Sequence, residues 1–352
     1  MQRNMFFVMY LILSIIPLHG ESTQCSPFIL PMPKRIVAVG DLHGDIHATR
    51  QALRLAGVLH MKRDEWIGGD TFLVQVGDQV DRGDDEIQVM SLLHRLGKQA
   101  RAEGGRVEVL VGNHELMSAQ GNFRYATKGA MRNFQRWSSI CRIKRLMPPF
   151  LSRHFGCDIY HGMEDCGDDS ICTRRLDKLE SDARARYLSL RSGGTFASKF
   201  LAEERKAILI VGDTVFVHAG LLHKHFKGEI SSTEAINVLN QEVAAFLKGE
   251  RRAPPSKTWG NDGILWTRRF SKIDLCTDTC KQLKKTLNRL PGNVRRMVVG
   301  HSVQRDGISP ACDASVWRID VGMSKGVLAT SPQVLEIKQD GSVNILGKSI
   351  ET

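Results

Sequence analysis

Three apolar runs in the first third of the chain each stop at a glycine followed by residues that can bind a metal ion. The first ends Gly40-Asp41-Leu42-His43-Gly44. The second ends Gly77-Asp78-Gln79-Val80-Asp81-Arg82-Gly83, and the third ends Gly112-Asn113-His114-Glu115. Two later runs behave alike: Thr214-Val215-Phe216-Val217 leads into His218-Ala219-Gly220, and Met297-Val298-Val299-Gly300 leads into His301. Asp41, His43, Asp78, Asn113, His218 and His301 offer oxygen and imidazole donors without a thiolate. That set suits two ions of manganese, iron or zinc better than a structural Cys-zinc site. Two divalent cations about 3.5–4 Å apart need a carboxylate between them. Asp78, on the middle of the three early runs, is the expected bridge. Asp41 and His43 are expected to complete one cation site, and Asn113, His218 and His301 the other. Water shared by two cations becomes a hydroxide nucleophile near neutral pH. The chemistry expected is direct in-line attack on phosphorus, with no phosphoenzyme.

The neighbouring residues have matching roles. His114, beside a ligand, is placed to protonate the leaving oxygen. Asp81 is placed to orient that imidazole, and Arg82 to grip phosphoryl oxygens with its planar fork. Any one of these short patterns is common after a strand. Three in this order, each closing an apolar run, are not.

The runs read as buried strands whose C-terminal ends carry the donors, the usual ligand position in an open α/β sheet. Apolar positions from Ile46 to Leu59 are loosely helical. Ile87, Met90, Leu93, Leu96 and Ala100 form a helical stripe before Gly104-Gly105. The order is βαβαβ, which implies a parallel sheet. Residues 116–205 change in texture and read as an insertion. From Leu116 to Cys157 there is no Asp or Glu, and Met131, Phe134, Trp137 and Cys141 lie on one helical face among basic residues. Such a helix is either a packed surface element or a docking face for an anionic membrane or acidic partner. Residues 207–211 and 214–220 read as a hairpin about Gly212-Asp213. Helices are expected near 233–247 and around Leu283, Leu287 and Leu290. The tail segments 316–320, 334–337 and 343–346 alternate like antiparallel strands.

The chain has 352 residues and a net charge of +11. The charge fits a solvated basic surface as well as an anionic substrate, and phosphorylated substrates suit it. The run from Met5 to Leu18 is too short to span a bilayer. It reads as the core of a cleaved secretory leader over residues 1–22, with an uncleaved anchor or an organelle-targeting leader the lesser alternatives. Eight cysteines, Cys25, Cys141, Cys157, Cys166, Cys172, Cys276, Cys280 and Cys312, suggest disulfides in an oxidising compartment. Their connectivity is not legible, and zinc is the competing reading.

The blocks at 40–44, 77–83 and 112–115 resemble the three signature blocks of the phosphoprotein phosphatase family. His218-Ala219-Gly220 and Gly300-His301 resemble its two later histidine blocks. The resemblance implies a calcineurin-like metallophosphoesterase fold over residues 34–350. This is an α/β sandwich of mixed sheets flanked by helices, with a dimetal site at the strand C-terminal ends. It agrees with the ligand and acid roles above and implies a second phosphate-gripping arginine, for which Arg268 is the candidate, with Arg269 adjacent. The Trp-Ser-Asp-Pro block of the eukaryotic serine/threonine members reads Trp266-Thr267-Arg268-Arg269 here, and their Ser-Ala-Pro-Asn-Tyr block is absent. With the long insertion and Ile319-Asp320-Val321-Gly322-Met323-Ser324, these departures resemble the Shewanella-like protein phosphatases. That branch implies weak sensitivity to toxins of the common members and leaves serine/threonine versus tyrosine preference open. The expected substrate is a phosphoprotein, without nucleic acid as a partner. Dinucleoside polyphosphate hydrolysis is the alternative, disfavoured by Asp81. A nuclease or other phosphodiesterase on the same core ranks below it. A non-catalytic relative is disfavoured because no motif residue is missing.

Overall fold

A strand that is apolar on both faces needs cover on both, and the central strands here receive it. The computed structural model describes residues 27–144, 157–160, 162, 165–228, 231–272 and 275–347. The expected leader, residues 1–22, and Cys25 lie outside them. β1 (Ile29–Leu30), β2 (Arg35–Val39), β3 (Phe72–Gln75), β4 (Arg106–Leu110), β5 (Arg205–Lys206) and β6 (Ile208–Val211) are followed by β7 (Thr214–Val217), β8 (Arg296–Val299), β9 (Ser309–Ala311), β10 (Val316–Arg318), β11 (Val334–Lys338) and β12 (Val343–Leu346). They form two six-stranded sheets, ordered β12-β11-β2-β3-β4-β5 and β1-β6-β7-β8-β10-β9. In the first, β2, β3 and β4 run parallel with Val39 beside Gln75 and Gln75 beside Val109. Their C-terminal ends are therefore level. In the second, β7 and β8 run parallel with Phe216 beside Val298. The five motif-bearing strands thus divide three and two between facing sheets.

The second sheet alternates between two cores, as a two-residue side-chain period requires. Leu209, Val211, Phe216, Val298 and Trp317 belong to the core that also holds Leu73, Val74 and Val76 of the first sheet. Ile208, Ile210, Val215, Val217, Met297 and Val299 point to the other core, where the insertion packs. Each such side chain fully buried contributes about 1.5–3 kcal/mol.

Helix α1 (Ile46–Leu55) is capped by Asp45, which accepts the N–H groups of His47 and Ala48 at 3.0 Å. Helix α2 (Glu86–Ala102) makes the second crossover, and α3 (Asn113–Ala119) starts at the third motif. The insertion holds α4 (Lys128–Lys144), α5 (Ser170–Leu176) and α6 (Ser181–Leu190). Phe134, Trp137 and Cys141 of α4 are buried against Phe196 and Phe200 in the second core. Helices α7 (Ser232–Leu247) and α8 (Thr277–Leu287) complete the cover.

One local expectation changes. β10 pairs parallel with β8 and antiparallel with β9, so only β11 and β12 form the antiparallel tail. The alternation at 316–320 reflects burial on two faces, which does not encode strand direction. Ahead of the first motif, Ile29–Leu30 add a strand parallel to β6. Disulfides join Cys141 to Cys157, Cys166 to Cys172 and Cys280 to Cys312. Cys276, near Cys280 in sequence, is exposed and unpaired.

Candidate dimetal active site

Asp78 stands where the five strand ends meet. Its Oδ2 lies 3.9 Å from His43 Nε2, 3.8 Å from His114 Nε2 and 3.3 Å from His218 Nε2. His43, Asp78 and His114 offer ligand atoms all within 4.8 Å of one another, and so do Asp78, His218 and His301. Asp78 is common to both groups. His43 Nδ1 donates to the Val80 carbonyl at 3.1 Å, and His218 Nδ1 to that of Val76 at 2.9 Å. A carbonyl only accepts, so each ring's Nε2 is left facing the centre. The Asn113 side-chain oxygen lies 2.8 Å from His218 Nε2 and 2.9 Å from His301 Nδ1, joining the second group.

Charge follows the same layout. Burial pushes His43 down to about 4 and, with the neighbouring His218, takes His301 to about 3, so both are neutral donors near pH 7. Burial would raise Asp78, but the imidazoles of His218 and His114 outweigh it and hold the carboxyl well below its usual range. Asp41 is raised well above its usual value by burial, then by Asp320 and Asp78. Asp320, after β10, is itself pushed up to about 6 by burial and the charge of Asp78. Buried carboxylates gathered around imidazoles and an amide oxygen fit a pair of divalent cations.

Asp41, expected with His43, turns its carboxylate to the His301 N–H at 3.2 and 3.3 Å and feels the charges of Asp320 and Asp78. His114, expected as the acid, has Nδ1 taken by Asp81 Oδ2 at 2.7 Å, which aims Nε2 at Asp78.

Backbone strain concentrates here. Ten non-glycine residues among those described have positive φ, and five are His43, Asp78, Asp81, Arg82 and His301. Such conformations persist where the surroundings impose them. Glu115 provides much of that constraint. Its carboxylate accepts the N–H groups of Asp78, Gln79, Val80 and Gly112 at 3.0, 2.8, 3.2 and 2.7 Å. Gly77, at φ +105°, approaches so closely that a Cβ would lie 2.7 Å from the Gly112 nitrogen and 2.9 Å from His218 Nδ1.

Arg82 lies over the Tyr125 ring at 4.8 Å, and the same ring sits 5.1 Å from that of His114. Arg268 is exposed and its charge reaches His301, whereas Arg269 is tied to Asp262 at 2.9 Å. Of the two adjacent arginines, Arg268 is the one electrostatically in touch with the centre.

Sequence reasoning gave no role to Asp320, Glu115, Tyr125, Glu86 or Arg186. For Asp320 a signal existed, since it too closes an apolar run. Glu86 accepts the Asp81 N–H at 2.8 Å. Arg186, on α6 of the insertion, donates from Nη2 to Asp81 Oδ1 at 2.8 Å and is fully buried. One arginine among many in a basic insertion carries no sequence mark of that position.

Residues 34–211 match the family described as calcineurin-like phosphoesterase. The chain is 37% identical over 317 residues to Shewanella-like protein phosphatase 2 of Arabidopsis thaliana, covering 89% of this chain and 78% of that one. It is 24% identical over 297 residues to Shewanella-like protein phosphatase 1 of Plasmodium berghei, covering 82% and 67%. In fold it is similar to the cold-active protein-tyrosine phosphatase of a psychrophilic Shewanella, with a TM-score of 0.60 and 20% identity, covering 92% of this chain and 83% of that one. The chain therefore belongs to the calcineurin-like phosphoesterase family, among its Shewanella-like protein phosphatases.

Proposed function

We propose that the protein hydrolyses phosphomonoesters on phosphoproteins, at tyrosine, serine or threonine, by direct water attack and without a phosphoenzyme. The observation that carries this is Asp78 shared between two buried histidine groups, with the His114–Asp81 pair at 2.7 Å on one side. Asp41, His43, Asp78, Asn113, His218 and His301 would hold two divalent cations, with manganese the ion of choice in vitro. When bound, these supply Lewis-acid polarisation of the phosphoryl group and acidification of the attacking water. Arg82 and Arg268 grip the phosphoryl oxygens. His114 delivers its Nε2 proton to the departing oxygen as the P–O bond breaks, and Asp81 orients the ring. Burial opposes protonation of His114, but the charges of Asp78 and Asp81 outweigh it and raise its pKa above the ordinary value.

We take residues 34–350 as one catalytic domain with an insertion at 116–205, preceded by a cleaved leader at 1–22. Three disulfides support an oxidising, secretory setting. A mature N-terminus at Met1 in native material would remove the leader. The exposed basic face of α4 is the region to which an anionic membrane or acidic partner would dock.

The test is turnover of phosphotyrosine and phosphoserine peptides beside a dinucleoside polyphosphate, with manganese and then with a chelator. Peptide turnover lost on chelation and restored by manganese is expected. Exclusive turnover of the dinucleotide would replace this reading with the alternative. Asp78→Asn is expected to abolish phosphate release, and His114→Asn to lower kcat roughly 10²- to 10⁴-fold, with the circular dichroism of the folded chain retained. Full activity in either variant would sink the mechanism.

A further inference from the structure

Arg186 is among the largest fully buried side chains, and a guanidinium is a costly group to bury unless its donors are used. Its Nε donates to Glu86 Oε2 at 3.0 Å and its Nη2 to Glu86 Oε1 at 2.9 Å, a bidentate grip. Nη2 also reaches Asp81 Oδ1 at 2.8 Å and Ser118 Oγ at 3.1 Å. Two rings from the insertion enclose the group: Phe123 at 4.7 Å and Phe134 at 5.9 Å from the guanidinium carbon.

The contact with Asp81 is the informative one. Glu86 occupies the guanidinium only in part, and its remaining donors must find other acceptors once buried. Here the guanidinium is shared with the carboxylate that touches His114. Asp81 is then held at three points. Its N–H is bound by Glu86 Oε1 at 2.8 Å, its Oδ1 by Arg186, and its Oδ2 faces His114 Nδ1 at 2.7 Å. Its backbone sits at φ +67°, a conformation that needs such fastening. Chain proximity does not explain the contact, since Arg186 and Asp81 are 105 residues apart.

We infer that Arg186 is a positioning residue for the leaving-group step, supplied to the metal centre by the insertion. It fixes the direction of the Asp81 carboxylate and, through Asp81, the ring of His114. The inference rests on the assignment of His114 as the acid. In that step the ester P–O bond breaks with its electron pair going to the departing oxygen. That oxygen takes the proton from His114 Nε2, and the incoming water oxygen forms the new bond to phosphorus while its proton passes to solvent. A leaving oxygen that departs readily as an anion needs little help. A poor one depends on the aim of the imidazole.

The experiment is a series of phosphate esters of graded leaving-group acidity, from p-nitrophenyl phosphate through phenyl phosphate to an alkyl phosphate. It compares wild type, Arg186→Lys and the double variant Glu86→Leu/Arg186→Met. The double variant replaces the buried pair with apolar groups of similar size, a change that folds often tolerate. Both variants are checked by thermal melting. In folded variants kcat is expected to fall about 10- to 100-fold on phenyl and alkyl phosphates and to change little on p-nitrophenyl phosphate. KM should hold throughout. Arg186→Lys, which retains the charge, is expected to recover part of the loss. An equal loss on every ester, no loss on any, or failure of both variants to fold would assign Arg186 to stability alone and overturn the inference. Inactivity of wild type on all monoesters, or full activity of His114→Asn, would instead strike the functional reading beneath it.

Discussion

The sandwich and the insertion bury different things. In the sandwich the buried groups are hydrocarbon: Leu73, Val74, Phe216 and Val298 are fully enclosed, and polar groups gather at the strand ends. The insertion buries aromatic rings, a disulfide and a charge. Its Phe134, Trp137 and Cys141 face the second core, and its Arg186 reaches through to Asp81. One region presents a row of donors because five strands stop level with one another. The other reaches that row from behind with a single cation. The comparison teaches that the insertion is fastened to the chemistry as well as to the surface.

The sharpest way to break this comparison is to ask whether the two regions unfold together. Phe134 is fully buried in the core shared by the insertion and the second sheet. Phe134→Ala is expected to cost about 3–5 kcal/mol. Leu73→Ala, fully buried on β3 of the first sheet, is expected to cost about 2–5 kcal/mol. Both should appear in urea melts as one cooperative transition. A separate early transition in Phe134→Ala would make the insertion an autonomous appendage.

A smaller effect separates the two adjacent arginines on the sandwich side. Arg268→Ala is expected to lower kcat/KM roughly 10- to 100-fold, the scale of a charged hydrogen bond. Arg269→Ala removes only the exposed pair with Asp262 and is expected to leave activity nearly unchanged. Equal losses would mean that the phosphate is gripped differently.

The smallest effect is a pH dependence remote from the metals. His225 accepts the Leu222 N–H at Nδ1 and donates from Nε2 to the Asp262 carbonyl, so both ring atoms are committed as the neutral form. Burial lowers its pKa from 6.5 to about 4. The unfolded chain therefore binds the extra proton between those values. The stabilising contribution is complete above about pH 6.5 and is lost as the pH falls toward 4. Urea melts at pH 7 and pH 5 should show a decline that is reduced in His225→Gln. An identical decline in the variant would remove His225 as its source.

Much of the centre was legible because its residues follow strands, and strands announce themselves by apolar runs that end at glycine. That is why His43, Asp78, Asn113, His114, His218 and His301 were found together, and why Asp81 beside His114 was foreseen. Asp41 was found but its aim was not, because the direction of a carboxylate depends on which N–H it meets. β10 was seen as a strand, antiparallel as it is to β9, but its parallel pairing with β8 was not, because alternation is the same either way along a strand.

By itself the sequence determined the donors, their order and the chemistry they permit, since residue type and the apolar run that precedes each donor are local properties. It also determined that the insertion would be basic, cysteine-bearing and partly helical. Only the tertiary structure decided what reaches Asp81 from behind, which cysteines join, and which histidine shares the first group with His43. Those outcomes depend on contacts between segments up to about a hundred residues apart, such as Arg186 with Asp81. Contacts at that range are set by how the cores close, and no spacing along the chain records them.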